Sequence, residues 1–431
     1  MESSKTTHKT SSDIAGKVSR ANKIAFQAGA FLASFLVLFS HRPDAILNPQ
    51  FYAEDGARFY ADAYQFGWHC LLMPYGGYLS TLLRLIGLLA QLVPFGLAPL
   101  VMNLCAITIQ ILPVNLFLSD RFRTIPYKVR VFGSLLYLAL PNAFEIHANT
   151  TNIQWHLALL ASLVLLSQSE TGKAWRCFDY AVLFFALVDG PLAILLVPIA
   201  AVLLWLRRDR RTVVYLGVML PFAVLQSLFI LFSNTRRPAP NGASLERLVG
   251  ILGGQIFLSS VFGVRTFAQV FLFGNRHLLF WVEAVATIAG LVLIVYSLRS
   301  SPLELRLFIL FAASVLIMTL SHPLAGPDAS FPQWEYLQIP GRSSRYYFFP
   351  ILAFYASLFW LARTAASRRV RYVAFAFLLL LSIGVYRDWR YPRFVDLRFQ
   401  SYAAAFEQTA VGNRVTIPLN PIGWEMELVK H

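Results

Sequence analysis

Long apolar runs, separated by short polar and basic segments, recur along most of the chain from residue 24 to residue 386. A membrane-spanning helix needs roughly 20 mostly apolar residues, so repeated runs of this kind indicate a helical bundle in a bilayer. The pattern predicts an all-α polytopic membrane protein. About eleven spans are expected, at residues 24–40, 98–118, 129–141, 153–168, 177–189, 191–206, 212–233, 277–298, 304–321, 346–363 and 371–386.

Two further apolar segments are predicted to lie in the outer membrane interface instead of crossing. Residues 78–93 are short, lie between Pro74 and Pro94, and carry Arg84 near the middle. An arginine at the centre of a spanning helix would cost about 3 kcal/mol. Residues 244–262 are interpreted in the same way. If they crossed, every later span would change direction.

Residues 177–206 are apolar over thirty positions with basic residues on both flanks. One helix of that length would reach roughly 45 Å. We therefore expect a hairpin whose tip is Asp189-Gly190-Pro191, because Gly and Pro break helices. A single long, tilted helix is the alternative.

Composition supports a membrane protein, because 57% of the residues are hydrophobic, only 14% are charged, and the mean hydropathy is +0.57. The net charge of +15 does not indicate nucleic-acid binding, since Lys and Arg cluster at alternate ends of the predicted spans. The alternation of these basic clusters favours a multi-pass protein of a cytoplasmic (inner) membrane, with the N-terminus inside and the C-terminus outside.

Three regions follow from this topology. We predict a cytoplasmic tail at residues 1–23, a transmembrane domain at 24–386, and a small external cap at 387–431. The cap is expected to contain a helix near 396–408 and a strand at 414–419. Chemistry is expected in the external loops, of which residues 41–99 form the first.

The first loop carries two adjacent acids, Glu54 and Asp55, with Arg58 shortly after them. Partial burial and like charge would raise the pKa of at least one acid, which suits a general base or a metal-binding carboxylate. A divalent metal, Mg or Mn, therefore remains open here. The alternative is a helix N-terminus, where acids are favourable and Arg58 supports Glu54 one turn away.

Other external segments contain groups suited to binding a sugar or a phosphate. Arginine can bind phosphate oxygens with two parallel hydrogen bonds, and an ionisable residue in an apolar helix is a functional hypothesis by default. Helix capping, interfacial aromatics and arginines and snorkelling are the structural alternatives. The candidate binding residues are Tyr75, Glu145, His147, Asn152, Gln154, Trp155, His156, Arg342, Arg345 and Glu283.

The acidic pair in the first external loop, followed by Arg58 and Phe59-Tyr60, resembles the GT-C superfamily of membrane glycosyltransferases. The Gly-Pro tip of the predicted hairpin is also similar to that superfamily, although Asp189 stands where its members commonly have lysine. The segments Ala53–Gly56, Pro74–Leu79, Asn152–Trp155 and Gly423-Trp424 resemble an uncharacterised set of bacterial membrane proteins.

The resemblance implies a GT-C-like fold, a polyprenyl-phosphate-linked sugar donor, and a glycan or lipid-linked acceptor, with membrane lipid around the protein. We therefore expect an inverting transferase on the outer face of the membrane, with Glu54 or Asp55 as general base. A transporter or flippase of lipid-linked glycans is one alternative. The other is a non-catalytic subunit of an envelope-polysaccharide machine.

Overall fold

The structure is a computed structural model that describes residues 3–168, 172–233, 239–325 and 330–431, so the first two residues of the predicted tail lie outside it. A helix is present at each of the eleven predicted spans. The α-helices are α1 Ser3–His41, α2 Asp44–Leu47, α3 Ala61–Phe66, α4 Thr81–Ala90, α5 Ala98–Leu118, α6 Tyr127–Leu138, α7 Ile153–Leu166, α8 Lys173–Leu187, α9 Leu196–Arg207, α10 Arg210–Phe232, α11 Leu245–Val249, α12 Ser259–Phe262, α13 Val264–Phe273, α14 Arg276–Ser300, α15 Leu303–Ser321, α16 Gln333–Leu337, α17 Phe348–Thr364, α18 Arg368–Asp388 and α19 Phe399–Gln408.

Shorter elements complete the chain. Two antiparallel hairpins are formed by β1 Pro74–Tyr75 with β2 Tyr78–Leu79, and by β3 Arg414–Leu419 with β4 Trp424–Val429. The π-helices are Asp55–Tyr60 and Gly250–Leu258. The 3-10 turns are Gly67–Leu72, Phe95–Leu97, Asp120–Phe122, Phe144–Ile146, Leu192–Leu195 and Ser344–Tyr347.

Within the described residues, seven helices are long and apolar enough to cross a membrane. They include Leu245–Phe262, a continuous helix that the sequence places in the interface. Several predicted spans are shorter than the roughly 20 residues a crossing needs; α7, for example, has 14 residues and is buried along most of its length. A helix enclosed by protein does not have to match the bilayer thickness. The count of eleven spans therefore stays a prediction.

The bundle has two chemically different ends, and the basic end is the one that contains Arg121. Its guanidinium pairs with Asp179 through two hydrogen bonds of 2.5 and 3.0 Å, and both side chains are buried. Tyr215 also donates to Asp179. Arg211 donates to the carbonyl oxygen of Ser167 (2.8 Å) and to the hydroxyl of Tyr215 (2.9 Å). These bonds join α7, α8 and α10 to the turn after α5.

The opposite end, called the site end below, gathers the other termini of the same helices. His41 at the end of α1 bonds through its ring to the carbonyl oxygens of Leu138 (3.1 Å) and Trp389 (2.5 Å). Arg345, just before α17, donates to the carbonyl oxygen of Leu324, just after α15 (2.8 Å). The last residues of α1, α6, α15 and α18 therefore lie at one end.

Both ends of the Leu245–Phe262 helix contact the site end. Asn241, before its start, donates to the carbonyl oxygen of Leu320 at the end of α15 (3.4 Å). At its other end, Asp388 of α18 accepts from Val264 N–H (2.7 Å). A helix that passed through the bundle would place these termini at opposite ends. The contacts are those of an interfacial or re-entrant helix.

The Gly-Pro tip breaks the 177–206 segment as the sequence predicts. Helix α8 ends at Leu187, and α9 begins at Leu196 after a 3-10 turn. The tip pairs with the first loop, since Gly190 N–H donates to Leu79 carbonyl oxygen (3.1 Å) and Thr81 N–H donates to Val188 carbonyl oxygen (3.1 Å). The hairpin is thereby fixed to the start of α4.

Arg84 is buried inside the protein, within the segment that the sequence predicts to lie at the outer interface. It is 1% exposed, and its guanidinium forms an ion pair of 2.8 Å with Asp62 of α3. Helix α4 therefore lies under the first loop, packed on α3 and the Asp55–Tyr60 π-helix. An arginine can be buried here because a carboxylate balances its charge.

The tail after residue 387 contains the expected helix and strand. Helix α19 begins at Phe399, and β3 and β4 form a hairpin. Asn420, between the strands, accepts from Ala53 N–H (2.5 Å) and donates its own N–H to Phe51 carbonyl oxygen (3.3 Å). The tail is thus attached to the loop segment immediately before Glu54.

Breaking the buried ion pair at the basic end should destabilise the protein strongly. Asp179→Ala leaves Arg121 buried and without its charge partner, which typically costs about 3–5 kcal/mol. We expect a clear fall in the thermal unfolding midpoint of the detergent-solubilised protein. The matched control is Asp120→Ala, which removes an exposed pair with Lys23 (2.7 Å) and should cost about 1 kcal/mol or less. Equal shifts for both variants would contradict this assignment.

Candidate active site

A sharp turn in the first loop presents Glu54 at the site end. Ala53 has a positive φ of 41°, and the π-helix Asp55–Tyr60 begins directly after Glu54. Gly56 makes the close packing possible, because a Cβ there would lie 2.9 Å from atoms of both Phe51 and Leu419. The acid is therefore held between its own loop and the C-terminal tail.

Asp55 points into the protein and connects the first loop to the second. Its side chain is 1% exposed. Thr150 N–H donates to Oδ2 (2.9 Å), while the N–H and hydroxyl of Thr151 both donate to Oδ1 (2.6 Å each). Burial raises the pKa of Asp55 to about 7, and these three hydrogen bonds counteract the rise. Asp55 is thus bonded to the protein through both of its oxygens.

Glu54 instead borders a small cavity of about 30 Å³ at the site end. That volume has room for one or two waters or a hydroxyl-bearing group. Of the binding residues predicted from the sequence, Tyr75 and Gln154 also border it. The complete lining is Glu54, Phe59, Tyr75, Tyr78, Ser80, Leu83, Thr151, Gln154 and Asp189.

Several groups set the charge state of Glu54. Burial is the largest influence and raises the pKa of its carboxyl above the ordinary value. The nearby Arg345 guanidinium and a hydrogen bond with Tyr75 lower that pKa, while the Glu145 carboxylate raises it. Because burial dominates, Glu54 holds its proton more tightly than an exposed glutamate and is a stronger base once ionised.

Arg345 lies near Glu54 but is already paired. Its guanidinium forms an ion pair with Glu145, and its backbone N–H donates to Oε2 of the same carboxylate (3.2 Å). Arg58 is more available, since it is exposed and lies over the ring of Tyr75, 5.7 Å from the centroid. Among the described residues Arg58 has no salt-bridge partner. It is therefore a positive charge that no described carboxylate neutralises, whereas Arg345 is paired with Glu145.

Four predicted binding residues of the second loop do not border the cavity. His147 is buried against the rings of His41 and Tyr391, and burial lowers its pKa well below the ordinary value. Asn152 donates to the carbonyl oxygen of Glu145 (3.0 Å). These side chains shape the loop and do not border the cavity.

The other two of these four residues, Trp155 and His156, lie in the first turn of α7. His156 bonds to the hydroxyl of Tyr137 (2.9 Å) and to the carbonyl oxygen of Ile146 (3.0 Å). Trp155 packs edge-on against Tyr346, with ring centroids 5.9 Å apart. Both are buried and neither borders the cavity; His156 bonds within the loop region, while the indole N–H of Trp155 has no hydrogen-bond partner among the described residues.

Two further predicted residues are not brought to the cavity. Glu283 of α14 packs against the Gly250–Leu258 π-helix, where a Cβ on Gly253 would lie 2.2 Å from the Glu283 carbonyl oxygen. Arg342 is exposed, with its guanidinium 5.7 Å from the ring centroid of Tyr336. The close contact of two helices accounts for glycine at 253, and α14 thereby places Glu283 apart from Glu54.

The cavity also contains groups that the sequence analysis did not select, namely Tyr78, Ser80, Thr151 and Asp189. The Gly-Pro tip was a sequence signal for Asp189, but only as a helix break. Its approach to Glu54 depends on the bridge between Ser80 and Asp189, which joins distant parts of the chain. No local pattern reveals that pairing.

The acidic pair does not converge as ligands of one metal ion would. Both oxygens of Asp55 accept hydrogen bonds from Thr150 and Thr151, while Glu54 borders the cavity. Across the described part of the chain, no group of three His, Cys, Asp or Glu residues is placed to hold a metal ion. The described residues do not fit the Mg or Mn ion that the sequence left open.

No family model matches the sequence, and no curated protein matches it. Among the solved structures it resembles is an Archaeoglobus fulgidus oligosaccharyltransferase tethered to an acceptor peptide that contains the NVT sequon. The two are 11% identical with a TM-score of 0.39, over 89% of this chain and 57% of that one. This chain thus spans just over half the length of that protein.

Gly190 should be essential for the shape of the cavity. It has a φ of +100°, and a Cβ there would lie 2.0 Å from Oε1 of Gln154. Gly190→Ala should displace Gln154 and lower activity roughly 10- to 100-fold, since a shift of about 1 Å can cost that much. Transfer of sugar, the activity expected from the sequence, measures the effect on the folded, lipid-reconstituted protein.

Gly423→Ala is the matched control for that substitution. Gly423 has nearly the same φ, +98°, but no atom lies within 4 Å of its Cβ position. Both variants carry similar backbone strain, so a specific loss in Gly190→Ala isolates the contact with Gln154. An equal loss in both would show that strain alone is responsible.

Proposed function

We propose that this protein is a membrane glycosyltransferase that uses a polyprenyl-phosphate-linked sugar on the outer face of the cytoplasmic membrane. Glu54 is the general base in this proposal. A glycan or lipid-linked molecule with a free hydroxyl group is the acceptor. The donor type follows from the resemblance of the Glu54-Asp55 loop to GT-C enzymes, and the base from the geometry of the site.

The observation that carries the proposal is the position of Glu54. It is a partly buried carboxyl beside a polar cavity at one end of an apolar helical bundle. The lining supplies an amide and several hydroxyl groups, which suit a polyhydroxyl ligand. The basic residues Arg121 and Arg211 lie at the other end, and by the positive-inside rule that end is cytoplasmic.

The structure also favours Glu54 over its neighbour as the base. A general base must be within hydrogen-bond reach of the proton it removes. Asp55 has Thr150 and Thr151 as donors on both oxygens, so accepting a substrate proton would break the connection between the two loops. We therefore assign Asp55 the role of positioning Glu54.

The reaction is a single displacement. Glu54 takes the proton of the acceptor hydroxyl while the oxygen forms a bond to the anomeric carbon. The bond from that carbon to the phosphate oxygen breaks, and the polyprenyl phosphate leaves with the electron pair. Attack opposite the leaving group inverts the anomeric configuration. Arg58 is available to stabilise the departing phosphate, whereas Arg345 is partly neutralised by Glu145.

Replacing the base should lower turnover strongly while leaving the fold intact. Protein purified into lipid is given a radiolabelled pool of polyprenyl-phosphate sugars, and sugar transfer is measured. Glu54→Gln keeps the shape of the side chain but cannot accept the proton, so we expect about a 10²- to 10⁴-fold fall in kcat. Donor binding should persist.

Two comparisons make this measurement decisive. Asp55→Asn should lower the thermal midpoint, because it weakens the hydrogen bonds to Thr150 and Thr151. Glu335→Gln, at an ion pair with Arg247 that is 44% exposed on the glutamate side, should leave transfer unchanged. Transfer that persists in Glu54→Gln would move the chemistry elsewhere. Movement of lipid-linked sugar across the bilayer without turnover would favour the flippase alternative.

The pH dependence should report the raised pKa of Glu54. A general base works only when deprotonated, so kcat/KM falls as the pH drops through its pKa. Burial raises that pKa, so the fall in kcat/KM at low pH should be centred above about 4.3, the pKa of an ordinary glutamate. This fall should be absent from the residual activity of Glu54→Gln. An unchanged fall in that variant would assign the titration to another group.

A further inference from the structure

Asp189 is the second carboxyl group that borders the cavity, and it comes from a different part of the chain than Glu54. It is the last residue of the predicted span 177–189, but in the structure it lies in the turn after α8, which ends at Leu187, and it is 2% exposed. Leu83 N–H, in the first turn of α4, donates to its Oδ1 atom (3.4 Å). One half of this carboxyl group therefore fixes the hairpin to α4.

The other oxygen, Oδ2, is buried and has no hydrogen-bond partner among the described residues. An unsatisfied buried oxygen costs free energy, and a native protein retains one mainly where a ligand, a water or a chemical step provides the partner. Burial raises the pKa of Asp189 to about 8, against the opposing influence of the Leu83 and Leu82 N–H groups and of Arg84. Burial thus favours the protonated form of this carboxyl group, which can donate a hydrogen bond.

We propose that Asp189 binds a substrate hydroxyl group through its free Oδ2 atom, inside the cavity that it shares with Glu54. The inference rests on the proposed function, because this hydroxyl is the acceptor that Glu54 deprotonates. An alcohol oxygen can give its proton to Glu54 and accept a hydrogen bond on a lone pair. An ammonium group has no lone pair to accept one.

The size of the cavity agrees with such a ligand. A volume of about 30 Å³ has room for a hydroxyl and the carbon that bears it, and not for a whole sugar ring. Tyr75 and Tyr78 form part of the wall. Asp189 would thus be a positioning and specificity-determining residue that selects an alcohol acceptor.

The test uses the full-length protein in lipid with octyl glucoside as the acceptor probe and the radiolabelled polyprenyl-phosphate sugar pool as donor. Asp189→Ala should raise the KM for octyl glucoside at least about tenfold and leave the KM for the donor unchanged. In Asp189→Asn the amide oxygen can still accept from Leu83 N–H, and the amide NH2 group can donate a hydrogen bond from the Oδ2 position. It should restore the acceptor KM to within about threefold of wild type.

Asp388→Asn is the matched structural control. Asp388 is another buried carboxyl of the site end, but its Oδ2 accepts from Asn142 N–H (3.1 Å) and Val264 N–H (2.7 Å), and its Oδ1 accepts from Arg265 N–H (3.3 Å). This variant should lower the thermal midpoint without changing either KM. Such a split separates a role in binding from a role in stability.

The possible outcomes separate this inference from the function it rests on. An acceptor KM within twofold of wild type in Asp189→Ala, or an equal rise in Asp388→Asn, overturns the role of Asp189 while the transferase stands. Transfer to decylamine but not to octyl glucoside also overturns it. A wild-type protein that transfers sugar to neither acceptor overturns both.

Discussion

The buried carboxyl group of Asp55 must be hydrogen-bonded, and the arrangement of the site depends on how that requirement is met. Its partners are Thr150 and Thr151, almost one hundred residues along the chain. Their hydrogen bonds place the start of α7 beside the first loop, which brings Gln154 to the cavity that Glu54 borders. Adjacent acids therefore serve different purposes, because one is directed into the protein and the other is not.

Additional connections fix the remaining walls of the cavity. Gln226 of α10 bonds to both backbone groups of Leu79, at 2.8 and 3.0 Å, which holds the β1–β2 hairpin and with it Tyr75 and Tyr78. The C-terminal tail bonds through Asn420 to the segment before Glu54. The site is thus built from four distant stretches of sequence, and each backbone connection satisfies polar groups that would otherwise be buried without partners.

Part of the site is visible in the sequence. Glu54, Tyr75 and Gln154 were selected from the sequence and border the cavity, and Glu145 and Arg345 adjoin it through their interactions with Glu54. Residues such as His156 were selected for polar density and prove to bond internally. A polar side chain looks the same in a sequence whether it meets a ligand or its own backbone, so such patterns overstate the binding surface.

The sequence by itself determined the helical, membrane-embedded class, the helix segments, the break at Gly190 and the acidic pair, because apolar periodicity, helix-breaking residues and local charge act over a few residues. Tertiary structure decided that Arg84 is buried against Asp62, that Asp55 binds the second loop, and that Asp189 borders the same cavity as Glu54. These outcomes depend on which distant group satisfies a buried charge or hydrogen bond, and that choice exists only once the helices have packed.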